Sequence, residues 1–136
     1  MSEERNLEAT QQLYALCAAG EWAAVRDMLA DDFFATEAAG LPYEGVFAGK
    51  DALERLYRKV MGMMPVEGMD LIQMTAGGDW VIVLLEMKAR DADGEFTIPL
   101  AEATRFRDGK VAEIKPYYFD PALVHRAVAA GRLAAA

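Results

Sequence analysis

The chain has 136 residues, 54% of them apolar and 26% charged, with a formal net charge of −8. That size and balance fit one soluble globular domain over residues 1–136, long enough for a real core. The acidity argues against nucleic acid, which is bound by neutralising phosphates with basic side chains. No apolar run approaches the roughly 20 residues that a membrane helix needs, so no membrane partner is expected.

Cys17 is the only cysteine, which rules out an internal disulfide and a cysteine metal cluster. The opening residues MSEERNLEAT lack the basic-then-apolar pattern of a secretory signal. The expected location is therefore cytoplasmic, with no metal site.

In chain order, residues from about Asn6 to Ala19 predict a first helix. Leu7, Gln11, Tyr14 and Ala18 form one stripe, and Gly20 is the breaker. A second short helix is expected from Glu21 to about Leu29, with Trp22, Val25 and Met28 at helical spacing and Asp31-Asp32 closing it. FFATE then reads as a short strand ending on Glu37. A loop follows, and after Gly49 a third helix carries Leu53, Leu56, Tyr57, Val60, Met61 and Met64 on its apolar stripe.

Beyond Pro65 the pattern turns to strands. MDLIQMTA and WVIVLLEMKAR flank Gly77-Gly78-Asp79, a hairpin signal. Val81 to Leu85 is continuously apolar, as in a strand covered on both faces. Turns at Asp91–Gly94 and Asp108-Gly109 extend the hairpin into an antiparallel meander. Asp120-Pro121 is a helix start, with Asp at the N-cap and Pro at the first position, and the terminal helix runs to about Leu133. His125, the only histidine, reads as a surface or helix-end residue.

The strand FTIPLAEATRF carries the chemical clue. Alternation puts Phe96, Ile98, Leu100, Glu102, Thr104 and Phe106 on one face. A carboxylate in such an apolar row must find a partner or keep its proton, because an unpaired buried charge is costly. Glu37, at the end of the FFATE strand, is a second carboxylate of interest. On the last strand Ile114, Pro116, Tyr118 and Asp120 share a face, so Asp120 is either a cap or an acid at a cavity mouth.

Helices gathered on one side of an antiparallel sheet define an α+β class. The order of a first helix ending AAGEW, then LADDF, then GVFAGKDALERLY, then RFRDGKVAEIKPYYFD resembles the NTF2-like superfamily over nearly the whole chain. The nearest groups are ketosteroid isomerases and SnoaL-like polyketide cyclases. The resemblance implies a cone: a strongly curved antiparallel sheet, three N-terminal helices on its concave side and a short C-terminal helix. It also implies an apolar pocket for a small-molecule ligand, no obligatory cofactor, and a homodimer packed through the sheet.

Ketosteroid isomerases use a first-helix tyrosine and a protonated late-strand acid as oxyanion donors, with a carboxylate after the LADD stretch as base. A carboxylic acid kept neutral for this purpose is that enzyme's known device. By resemblance these positions fall on Tyr14, Glu102 and Glu37. Both carboxylates are glutamate where the studied isomerases usually have aspartate, and Ala38-Ala39 replaces a frequent proline.

Three functions follow as expectations. One is an isomerase acting on an apolar carbonyl compound through an enolate. Another is a polyketide cyclase using Glu102 or Asp120 as acid. The third is a non-catalytic module that binds an apolar ligand or a protein partner. Tyr57, Met61, Trp80, Leu100 and Tyr118 are the expected substrate-binding walls.

Overall fold

The structure is a computed structural model describing residues 2–135. Helix α1 (Glu3–Ala19) starts at Ser2, whose hydroxyl accepts from the Arg5 N–H, with Glu3 and Glu4 in the first turn. Both features favour the positive end of the helix. It stops at Gly20, whose φ of 70° is the left-handed conformation of a helix C-terminus. Helix α2 (Trp22–Met28) follows, then β1 (Leu29–Glu37), β2 (Gly45–Ala48), α3 (Ala52–Met63), β3 (Gly68–Gly77), β4 (Trp80–Asp91), β5 (Gly94–Arg107), β6 (Lys110–Tyr118) and α4 (Pro121–Ala135).

The six strands form one curved sheet in the order β2-β1-β6-β5-β4-β3. All pairs are antiparallel except β1 and β6, which run parallel. Register shifts interrupt β1/β6, β3/β4 and β5/β6, and such irregularities bend strands. Asp108-Gly109 makes the tight β5–β6 turn with φ of 50° and 79°, as expected of an Asp-Gly hairpin.

Alternation gives the sheet a buried and an open face. Val81, Val83, Leu85, Met87 and Ala89 of β4 are buried, and Ile98 and Leu100 of β5 lie beside them. Phe33 and Ala35 of β1 and Ile114 of β6 complete this concave face. Leu13, Val25, Ala52 and Met64 from the helical layer, with Val124, Ala127 and Val128 of α4, pack against it.

Several expectations are corrected. Asp31 and Asp32 do not close a helix. They are exposed residues inside β1, where Asp32 pairs with Arg107. The loop before α3 contains the short strand β2. The terminal helix is not short but has 15 residues, anchored by Arg126 on Asp91 and over the Phe96 ring at 3.8 Å. The run Val81–Leu85 is covered on one face only, since Leu84 is 45% exposed.

Candidate functional site

The concave face collects two carboxyl groups and three phenols. Tyr14 lies on α1 one helical turn after Thr10 and before Cys17, on the stripe that meets the sheet. Its hydroxyl donates to Glu102 Oε1. Glu102 is reached from β5 because it pairs with Val83 and Pro116, both on the inner face. Burial lifts its carboxyl above the usual range, and the Tyr14 hydrogen bond opposes that lift. Tyr14 itself is pushed up by burial first, then by the neighbouring Glu102.

Glu37, the last residue of β1, is only 5% exposed. Its Oε2 is buried with no hydrogen-bond partner. Burial, then the charge of Glu102, pushes its carboxyl up to about 8. A buried acceptor with nothing to accept from is costly unless it is protonated or serves a ligand. Glu102 thus opposes the ionisation of Glu37, adding to the effect of burial.

Tyr118 and Tyr43 form the other polar contact. Their hydroxyls lie 2.6 Å apart and their rings meet edge to face at 6.4 Å. Burial raises both phenols, and the fields of Glu37 and Glu102 reach both. Tyr43 is fully buried, and the sequence pattern does not mark it. It sits in the aperiodic loop LPYEG, where no alternation marks it, and the only signal is an amphipathic aromatic between turn residues.

The other expected residues divide. Leu100 lies on the inner face, opposite Tyr118 and Leu85. Tyr57 and Met61 line a cleft of about 560 Å³ between the end of α1, the start of α2, and α3, with Cys17 and Trp22 also on its wall. Burial, then Glu102, raises the Cys17 thiol to about 12, so this cleft borders the carboxyl site. Trp80 is misplaced by the sequence reading: it lies on the convex face, beneath the Arg105 guanidinium at 5.9 Å. Asp120 does what its N-cap position suggests, its Oδ1 accepting from the Ala122 N–H. His125 is exposed on α4, with Nε2 2.8 Å from the Gly40 carbonyl oxygen.

Among the described residues no group of three or more His, Cys, Asp or Glu side chains converges to hold a metal ion. No helix among them is long and apolar enough to cross a membrane.

Residues 10–114 match the model of the SnoaL-like domain. The chain belongs to the SnoaL-like family, and its fold is that of NTF2-like proteins. The match spans Tyr14, Glu37, Tyr43 and Glu102 but stops before Tyr118. Among solved structures, an NTF2-like protein from Burkholderia xenovorans LB400 aligns over 94% of this chain and 98% of its own, with a TM-score of 0.79 at 22% identity. A proposed SnoaL-like polyketide cyclase from Jannaschia sp. CCS1 aligns over 94% of both chains, with a TM-score of 0.76 at 16% identity. TerC, co-crystallised with polyporic acid, aligns over 92% of this chain and 98% of its own, with a TM-score of 0.76 at 19% identity. At these identities the likeness is one of fold. Among curated proteins none is significantly similar in sequence.

Proposed function

We propose that this SnoaL-like protein is an enzyme that moves a proton on an apolar carbonyl compound through an enolate, in the manner of a ketosteroid isomerase or a cyclase. The observation that carries this reading is the pairing of Tyr14 with Glu102 on the same concave face as the unpartnered carboxyl of Glu37. Glu37 is the base, because its free oxygen has no protein donor to satisfy it. Tyr14 and the protonated form of Glu102 donate to the developing enolate oxygen, where preorganised donors have their largest effect. Keeping two carboxyls close in a dry site makes one a proton holder while the other is ionised, which supplies acid and base at one pH.

The reading also takes the protein as a cytoplasmic homodimer of single-domain chains, needing no cofactor. Ile82, Leu84, Ala101 and Ala103 share the convex face on β4 and β5, with Leu84 exposed. A second sheet packed there would cover a row that the monomer leaves open. Leu84→Lys should then lower the mass measured in solution from dimer to monomer.

The test of the chemistry is turnover of a β,γ-unsaturated 3-ketosteroid by the wild type and by Glu37→Gln, followed by conjugated-enone absorbance. Turnover lost in the variant supports the reading. A folded wild type that binds the ketone but never converts it, with affinity unchanged in Glu37→Gln, is instead a non-catalytic binder.

A further inference from the structure

The parallel pairing of β1 with β6 ends at Ala35 and Ile114. Pro116 follows, and a proline has no N–H to continue a ladder. The two strands part there and leave a cleft of about 340 Å³. Thr36 and Ala39 line one side, Lys115, Tyr117 and Tyr118 the other, and Pro121 at the start of α4 closes the end. The volume lies at the low end of ligand pockets, which run from about 300 to 1,000 Å³.

Lys115 is the one charged residue on this lining. It is partly buried, and among the described residues it forms no ion pair, although the chain carries a net charge of −8. The nearby Glu113 is taken by Arg105 at 3.2 Å, and Asp120 is engaged in capping Ala122. The Lys115 ammonium lies 5.9 Å from the centre of the Tyr117 ring. Thr36 projects to the same convex side of the sheet as Lys115, since its neighbours Ala35 and Glu37 are the buried ones.

An unpaired cation on a small cleft walled by two tyrosines, two prolines and small side chains has room for a flat ring bearing the missing anion. We propose that the gap between β1 and β6 is a binding site for an aromatic carboxylate of one or two rings. The ligand carboxylate meets the Lys115 ammonium and the Thr36 hydroxyl, and its ring lies against Tyr117, Tyr118 and the prolines. This site takes residues from both faces where the strands part, and it shares no lining residue with the α1–α3 cleft beside Cys17. It stands independently of the enolate chemistry, although Tyr118 lines the cleft and also carries the hydroxyl that meets Tyr43.

The experiment is a titration of the whole protein with 1-naphthoate, and with neutral 1-naphthamide as the matched uncharged probe, read by calorimetry. Wild type should bind naphthoate in preference to naphthamide. Lys115→Met should weaken naphthoate roughly tenfold, the effect of losing one charge-assisted hydrogen bond, and erase the preference. Ala39→Trp, which fills the cleft without touching the charge, should abolish binding of both probes. Glu37→Gln should leave naphthoate affinity unchanged. The proposal is overturned if wild type shows no saturable binding, or if Lys115→Met binds as tightly as wild type. It is also overturned if Glu37→Gln changes naphthoate affinity in either direction, since the probe would then sit on the concave face beside that carboxyl.

Discussion

Replacing Glu37 by Gln should make the protein more stable, and only at higher pH. In the native state the Glu37 carboxyl is pushed up to about 8 from the ordinary 4.5, mainly by burial. The folded protein therefore holds this proton more tightly than the unfolded chain does. Stability from this source is fully present below about pH 4.5 and is lost as pH rises through about 8, because over that interval the native state binds more protons. Each pH unit costs about 1.4 kcal/mol, so the full loss approaches about 5 kcal/mol. That is a large share of the roughly 5–15 kcal/mol that hold a domain together.

Gln has nearly the same shape and cannot ionise. Urea unfolding of both proteins at one-unit steps from pH 4.5 to 9 isolates the effect, since Glu102 titrates in both. The two should match near pH 4.5, and the variant should pull ahead until the gap levels off above about pH 8. Parallel curves, or a variant less stable at every pH, would refute the claim that a buried, unpartnered carboxyl sits there.

Other consequences follow from the same geometry. If Glu37 is the base, kcat/KM should climb with pH and level off above about 8. Glu102→Gln removes the acid proton offered to the enolate oxygen, so kcat/KM should fall across the whole pH range. Tyr118→Phe leaves the buried Tyr43 hydroxyl unpaired and should cost about 1–2 kcal/mol, whereas the double variant with Tyr43→Phe should recover much of it in a urea-unfolding cycle. Gly131→Ala would drive a Cβ into the Met63 carbonyl oxygen, so α4 must shift off the end of α3. A loss of about 1–3 kcal/mol is expected from such overpacking, measurable as a lower Tm.

Where local chemistry is strong, the sequence is legible. Gly20, Asp108-Gly109 and Asp120-Pro121 mark chain reversals or helix ends because few other residues tolerate those conformations. Glu102 was readable because alternation sets a carboxylate in an apolar row. Tyr14 stands out only through resemblance to a known position, and its bond to Glu102 depends on the fold bringing α1 onto β5. Trp80 was not readable: Val81–Leu85 is apolar at every position, so periodicity gives no phase and cannot say which side faces inward. Asp31 and Asp32 resemble a helix terminus, yet two exposed acids are equally at home at the start of a half-open strand. Tyr43 and the strand β2 lie in a loop with three positive-φ glycines, Gly40, Gly45 and Gly49, where tertiary contacts rather than local pattern decide the path.

The central claim is that Glu37 removes a proton beside a carbonyl held by Tyr14 and Glu102. The most direct measurement is exchange of the α-protons of 2-tetralone for deuterium in D2O, followed by proton NMR at about pH 8, where Glu37 is half ionised. Catalysed exchange by the wild type, reduced to the buffer rate in Glu37→Gln and slowed in Tyr14→Phe, is the predicted result. Exchange at the buffer rate with folded wild type, or equal exchange by wild type and Glu37→Gln, would contradict the account.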